Sequence, residues 1–202
     1  PVRTLSIEVI RERLKEIHRH GIKNIRVLDR TFNYNNKRAK ELLNLFLEFS
    51  PDICFHLEIH PALLSEELKQ ELAKLPKGLL HLEAGIQSLR EPVLEQSRRM
   101  GRLSDALNGL KYLCALPNME THADLIAGLP LYHLSEIFED IRTLAEYGAG
   151  EIQLESLKLL PGTEMRRRAE ELGIQYAPLP PYEVLQTREI SVDELQTARY
   201  LS

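Results

Sequence analysis

The sequence predicts an α/β fold, specifically a partial (β/α)6 TIM-like barrel of parallel strands. Segments with helical periodicity alternate with short apolar segments along all 202 residues, which is typical of parallel strands joined by right-handed crossovers. The GxGxxG fingerprint of dinucleotide-binding sheets is absent, which disfavours a doubly wound fold. A complete eight-unit barrel takes about 250 residues. Five or six units in an open barrel therefore fit this length better.

Apolar spacing places each element. Predicted helices cover residues 7–17, 39–47, 66–75, 103–114, 165–172 and a stretch from about 137 to near Gly148, and a last helix starts near Ser191. Predicted strands cover residues 24–29, 53–59, 79–83, 122–130, 151–157 and 182–187. Ser65 is placed to cap the third helix, and Gly21 and Gly173 are placed to end helices.

Composition excludes several classes of protein. A hydrophobic content of 43% supports a sizeable core, and a net charge of -4 disfavours a dedicated nucleic-acid binder. No apolar stretch approaches the roughly 18–20 residues that span a bilayer, and no signal peptide is visible. Cys54 and Cys114 lie in apolar patterns and are interpreted as reduced core residues. A cytoplasmic location is expected.

Carboxylates stand at or near the ends of five predicted strands. They are Asp29, Glu58, Glu83, Asp124 and Glu155. Ligands of parallel α/β folds bind at these strand ends, and a charge inside a strand is costly to bury without a partner. The pattern predicts an acidic cavity for a hydroxyl-rich or cationic ligand. The alternative is that the carboxylates form ion pairs with nearby bases such as Arg30, Arg99 or Lys158.

Residues 80–88 are the most informative stretch. They are interpreted as a short buried strand that ends at Glu83, turns on Gly85 and presents Gln87 and Ser88. These side chains offer hydrogen-bond donors and acceptors, and Ser88 lacks the context of a nucleophile elbow. The stretch therefore favours holding a polar ligand over attacking it.

Three segments, residues 82–88, 124–130 and 160–163, resemble successive core segments of radical S-adenosylmethionine (SAM) enzymes. The similarity is closest to the branch of oxygen-independent coproporphyrinogen oxidases and cobalamin-domain radical SAM proteins, and residues 29–33 resemble a strand exit of the cobalamin-associated group. The resemblance implies the core of an iron–sulfur oxidoreductase. Such an enzyme uses SAM and a [4Fe–4S] cluster to generate a 5′-deoxyadenosyl radical in the intact protein.

The resemblance also implies a SAM site at the strand ends. Its members are Asp29, Arg30, Thr31, Asn33, Glu58, Glu83, Gln87, Ser88, Arg99, Asp124, Ile126 and Lys158. Residues 29–31 are expected near the methionine amino group, and Glu58 is expected to contact SAM. Arg99 is expected to pair with the methionine carboxylate, because a guanidinium forks onto a carboxylate. Arg98 and Arg102 are neighbours that could take this role.

The expected adenosine contacts are fewer. By resemblance, Gln87 and Asp124 match residues that bind the ribose hydroxyls, and Ile126 matches an adenine contact. Carboxylate and amide oxygens accept hydrogen bonds from vicinal hydroxyls, which suits these roles. Acidic groups also complement the positive charge of the sulfonium.

One departure from the family is serious. The cluster loop CxxxCxxC is missing, and Cys54 and Cys114 cannot replace it. We expect the first strand and the cluster loop to precede Pro1 in a longer polypeptide, with residues 1–202 as a core-domain fragment; a degenerate relative is the alternative. Expected partners are a small-molecule or cofactor substrate, the upstream cluster segment, a cobalamin-binding domain and a flavodoxin or reductase as electron donor, without nucleic acid or membrane.

Two other functions compete with this one. His56, Glu58 and His60 alternate along a strand and share one face, which would suit a divalent metal in a barrel aldolase or isomerase. A non-catalytic domain that binds a nucleoside-like ligand, or docks another domain, is the third hypothesis.

Overall fold

A parallel five-stranded sheet, with its strands in chain order, is the main feature of the computed structural model, which describes residues 4–29, 31–99 and 101–201. The strands are β1 (Asn24–Val27), β2 (Cys54–Ile59), β3 (Leu80–Gln87), β4 (Glu120–Ala127) and β5 (Glu151–Ser156). Helices connect them along the chain. The predicted α/β class and partial-barrel fold are confirmed.

The helices follow the predicted order. They are α1 (Ile7–Arg19), α2 (Asn36–Leu47), α3 (Glu66–Lys74), α4 (Glu91–Gln96), α5 (Leu103–Cys114), α6 (Leu134–Glu146), α7 (Glu164–Arg167) and α8 (Val192–Arg199). At the position of α4, the sequence analysis predicted a connection without a helix. Within the described ranges, none of these helices combines the length and apolarity that crossing a bilayer requires.

The last predicted strand, at 182–187, does not join the main sheet as the strand of a further barrel unit would. It is β7 (Val184–Gln186), which pairs antiparallel with β6 (Gln175–Tyr176) in a separate two-stranded sheet. The apolar pattern at 182–187 identified a strand correctly, but a pattern of three residues carries no information about which strand lies beside it. Five strands, rather than six, therefore make the main sheet.

The chain divides into two compact units. Unit 1 comprises Pro1–Ala84 and Asp105–His122, and unit 2 comprises Gly85–Ser104 and Ala123–Ser202. The division falls inside β3 and inside β4, so each unit contains part of both strands.

In unit 1, the strand pattern sorts side chains to two faces. Phe55, Leu57 and Ile59 of β2 are buried, while the intervening residues, including His56 and Glu58, are half-buried. This period of two is expected of a strand with one apolar face. The Phe55 ring stacks on Phe46 of α2 with 4.0 Å between ring centroids, which anchors the helix to the strand.

A close approach in unit 1 explains Gly109 of α5. A Cβ added there would lie 2.2 Å from the carbonyl oxygen of Pro61, far inside van der Waals contact. Because the obstacle is backbone, neither side can yield by rotating a side chain. The helix therefore requires glycine at this position.

We expect Gly109→Ala to lower the free energy of unfolding by about 1–3 kcal/mol, as overpacking does elsewhere. Urea denaturation would measure the change. Asn108→Ala, at the exposed neighbouring position on α5, is the control and should change stability by no more than about 0.5 kcal/mol. Equal stabilities for the two variants would contradict the steric explanation.

In unit 2, β4 buries Ala123, Leu125 and Ala127 on one side and leaves the alternate residues half-buried. The final helix, α8, begins as predicted at Ser191 with a reciprocal capping box. The Ser191 hydroxyl accepts from the Glu194 backbone N–H at 3.4 Å, and the Glu194 carboxylate accepts from the Ser191 N–H at 2.8 Å.

The interpretation of Gly85 as a turn was wrong. Strand β3 continues through Gly85 to Gln87, and the turn comes at Gln87, whose φ is +73°. Positive φ is uncommon for a residue with a side chain and costs of order 1–3 kcal/mol, so the surrounding structure must hold it. Gly85 serves another purpose, which concerns Arg99.

Candidate functional site

The predicted site residues fall into two groups, one in each unit. Unit 1 holds Asp29, Thr31, Asn33, Glu58 and Glu83, and unit 2 holds Gln87, Ser88, Arg99, Asp124, Ile126 and Lys158. Arg30 lies outside the described residues. The two groups are described separately below.

In unit 1, Glu58 and Glu83 are neighbours in register across β2 and β3. Arg26 of β1 forms an ion pair with Glu83. The predicted alternative of ion pairing thus holds for Glu83, although its partner is a base that the sequence interpretation did not consider. Glu58 therefore lies next to an ion pair, which offsets part of the negative charge in this part of the strands.

Asp29 and Thr31 follow β1. The Asp29 carboxylate accepts from the Thr31 backbone N–H at 3.3 Å, and both residues line a cavity of about 270 Å³ together with Tyr34 and Arg38. Asp29 is exposed and Thr31 is half-buried. These two residues can therefore reach a small polar ligand in unit 1.

Asn33 has a structural task. It is 1% exposed, and its amide donates to the carbonyl oxygen of His60 at 2.9 Å while accepting from the His60 backbone N–H at 2.8 Å. This pair of bonds fixes the segment that follows β2. Burial and these two bonds leave the Asn33 amide little access to a ligand.

Imidazoles occupy the layer below the carboxylates in unit 1. The rings of His56 and His81 stack with 3.8 Å between centroids, and burial, followed by the neighbouring His81, lowers the pKa of His56 below its usual value. Over the described ranges, His56, Glu58 and His60 do not bring three ligand atoms together. The geometry gives no support to the predicted metal site.

In unit 2, Arg99 is placed between two strands. Its Nη2 donates to the Gly85 carbonyl oxygen of β3 at 2.5 Å, and its charge interacts with Asp124 of β4. A Cβ on Gly85 would lie 3.3 Å from this guanidinium, so the missing side chain gives Arg99 its room. Burial lowers the pKa of Arg99, and Asp124 opposes that shift.

Arg98 is a weaker candidate than Arg99. It is exposed and pairs with Glu164 of α7 at 2.6 Å. Arg102 is also exposed. Arg99, in contrast to the exposed Arg98, is half-buried and interacts by charge with Asp124 of β4.

Polar and apolar residues on the strands of unit 2, and after them, suit different parts of one ligand. Asp124 and Ile126 occupy alternate positions on the half-buried side of β4, and Gln87 ends β3. Lys158 is exposed and forms a backbone bridge with Glu183, while Glu155 accepts from Gln153 on its own strand. The chemistry here is that of hydrogen bonding and charge, with an apolar contact at Ile126.

Ser88 belongs to a buried network that the sequence interpretation missed. The Ser88 hydroxyl, which is fully buried, accepts from the Arg90 backbone N–H at 3.1 Å. Arg90, the Leu89 N–H and Tyr132 all bond to the carboxylate of Asp140. One signal was visible: Asp140 is a charged residue on the apolar face of α6, between Ile137 and Leu144 in helical spacing.

The comparison with protein families decides the identity of the fold. The model of the radical SAM superfamily matches residues 1–152. The chain belongs to this superfamily. The resemblance seen in the sequence is confirmed at this level.

Solved structures of radical SAM proteins share the fold. TsrM, a radical SAM methyltransferase from Kitasatospora setae solved with tryptophan and a SAM analogue, matches with a TM-score of 0.70 at 16% identity, over 86% of this chain and 36% of TsrM. SuiB from Streptococcus suis matches with a TM-score of 0.64 at 12% identity, over 84% of this chain and 40% of SuiB. This radical SAM chain thus spans well under half the length of these proteins. Among curated protein sequences, no match was found.

The cysteines of this radical SAM chain do not fit an iron–sulfur cluster. Cys54 lies in β2 and Cys114 in α5, and the sequence contains no third. Burial raises the pKa of both thiols, which disfavours the thiolate form that ligates iron. By contrast, the candidate site residues of unit 2 suit SAM as a ligand, because they combine a carboxylate, an amide and a guanidinium.

Proposed function

We propose that this chain is the SAM-binding part of a radical SAM enzyme's core domain. The observation that carries the proposal is that Arg99 bonds to the Gly85 carbonyl oxygen of β3 and interacts by charge with Asp124 of β4, in a chain that matches the superfamily over residues 1–152. In the intact enzyme, reduction of SAM at a [4Fe–4S] cluster supplies a 5′-deoxyadenosyl radical. The residues of this chain bind and orient SAM.

The proposed contacts follow from the chemistry of the ligand. Asp124 and Gln87 accept hydrogen bonds from the ribose hydroxyls, and Ile126 packs against the adenine. The Arg99 guanidinium binds the methionine carboxylate through two parallel hydrogen bonds. That carboxylate then supplies part of the opposite charge that Asp124 alone supplies to Arg99 without SAM. Asp29, Thr31 and Glu58 of unit 1 are further proposed ligands, whose substitution tests them one by one.

Because Cys54 and Cys114 do not make a cluster site, we expect this chain by itself to bind SAM without cleaving it. Cobalamin and a separate electron donor are proposed for the whole protein on the strength of the resemblance alone.

Calorimetric titration tests the proposed function. SAM and S-adenosylhomocysteine should bind in a one-to-one complex with Kd of about 1–100 μM, that is about -8 to -5 kcal/mol. SAM should bind more tightly than S-adenosylhomocysteine, because the carboxylates complement the sulfonium charge. ATP, whose phosphates would meet those carboxylates, is the control ligand. Binding of ATP as tight as that of SAM, or binding of neither ligand, would contradict the proposed function.

A further inference from the structure

We propose that Asp140 is a positioning residue, whose buried carboxylate holds the exit loop of β3 so that Gln87 faces the ligand. The inference rests on the proposed SAM-binding function and adds to it a residue that does not itself touch SAM. Asp140 lies on α6 and is 1% exposed.

Both carboxylate oxygens of Asp140 are occupied. Oδ2 accepts from the Leu89 backbone N–H at 2.8 Å and from the Tyr132 hydroxyl at 2.6 Å. Oδ1 accepts from Nε of Arg90 at 3.0 Å and lies 2.8 Å from its Nη2. A buried carboxylate needs such compensation, and here two neighbouring residues of one loop provide most of it.

The same loop is held at a third residue. The Ser88 hydroxyl accepts from the Arg90 N–H, and the Arg90 guanidinium also pairs with Glu139 of α6 at 2.7 Å. Residues 88–90 are therefore fastened to each other and to α6.

Gln87 directly precedes this fastened segment. Its positive φ is a strained conformation, and strain persists only where the surrounding structure determines the backbone. The bond from the Leu89 N–H to Asp140 supplies that determination, because it fixes the chain two residues beyond Gln87. Without the carboxylate, the backbone would relax and move the Gln87 amide.

Tyr132 extends the effect to the exit of β4. It follows that strand by five residues and is completely buried, and burial, followed by its bond to Asp140, raises the pKa of its hydroxyl. The hydroxyl therefore stays protonated and donates. One carboxylate thus connects the segments that follow the two strands carrying Gln87 and Asp124.

Asp140→Asn tests the inference, because asparagine keeps the shape and loses the charge. In either orientation its amide nitrogen would face a donor, either the Arg90 guanidinium or the Leu89 N–H and the Tyr132 hydroxyl, so the set of bonds that holds the loop is broken. We expect amide exchange of Leu89 to accelerate by about tenfold or more, and the Kd for SAM to rise by a similar factor. Tyr132→Phe, which removes one bond and keeps the ring, should raise the Kd by only about two- to fivefold.

Asn118→Ala is the matched control. Asn118 donates to the carbonyl oxygens of Leu72 and Leu75 in unit 1, at 2.9 and 2.7 Å, and its loss should lower the melting temperature without changing Leu89 exchange or the Kd for SAM. If Asp140→Asn behaves like this control, or if Leu89 exchange accelerates while SAM binds as in wild type, the positioning role is overturned. A wild-type protein that does not bind SAM overturns the proposed function instead.

Should Asp140→Asn fail to fold, Tyr132→Phe carries the test. The inference is supported if the Kd for SAM and the rate of Leu89 amide exchange both rise in this variant. It is overturned if both are unchanged.

Discussion

Asp124→Ala should abolish binding of SAM, with a Kd weakened by about 100-fold or more. The substitution removes acceptor oxygens for the ribose hydroxyls, and hydrogen bonds to a charged group contribute about 1.5–3 kcal/mol each. It also leaves the half-buried Arg99 guanidinium without the carboxylate that compensates it. Calorimetry on the variant, with circular dichroism to verify folding, measures the effect.

Two variants control this experiment. Asp124→Asn retains one acceptor oxygen and should weaken SAM binding by an intermediate factor. Glu120→Ala removes an exposed carboxylate from the first position of β4, and it should leave the Kd for SAM within about twofold of wild type. Binding that survives Asp124→Ala would exclude Asp124 from the site.

Phe55→Ala should produce the largest loss of stability, about 3–5 kcal/mol. Phe55 is 0% exposed in the middle of unit 1, and its ring lies nearly parallel to Phe46 at 4.0 Å. Truncation would leave a cavity and remove this stacked pair, which itself contributes about 0.5–1.5 kcal/mol. Urea denaturation with an unchanged m-value would measure the loss.

Phe55→Leu separates cavity formation from loss of the aromatic pair. Leucine fills most of the volume, so we expect a cost of about 1–2 kcal/mol. A loss below about 1 kcal/mol for Phe55→Ala would mean that the site collapses around the smaller side chain, contrary to the packing described for β2.

Much of the architecture could be predicted because its signals are local. Alternation of periodic segments identified the α/β class, and Ser65 and Ser191 cap α3 and α8 where they were expected. Of the carboxylates predicted at strand ends, Glu58 and Glu155 lie one residue before the ends of β2 and β5, whereas Glu83 and Asp124 lie in the middle of β3 and β4. These inferences need no knowledge of distant contacts.

The features that the sequence did not reveal depend on contacts between residues that are far apart in the chain. Gly85 resembles a turn in the sequence, but it lies within β3, where its carbonyl oxygen accepts from Arg99, 14 residues later, and where a Cβ would crowd the guanidinium at 3.3 Å. Asp140 escaped notice because the N–H that it accepts belongs to Leu89, 51 residues earlier. The bonds between the Asn33 amide and the backbone of His60, 27 residues later, were equally invisible in the sequence. Such pairings arise only once the chain is folded.

A crystal structure of the protein with S-adenosylhomocysteine would test the central claim most directly. We predict the ribose hydroxyls at hydrogen-bonding distance, about 2.5–3.2 Å, from Asp124 and Gln87, with the carboxylate of the ligand at Arg99. A ligand bound elsewhere, for example in the cavity beside Asp29 with Asp124 and Arg99 untouched, would contradict the account.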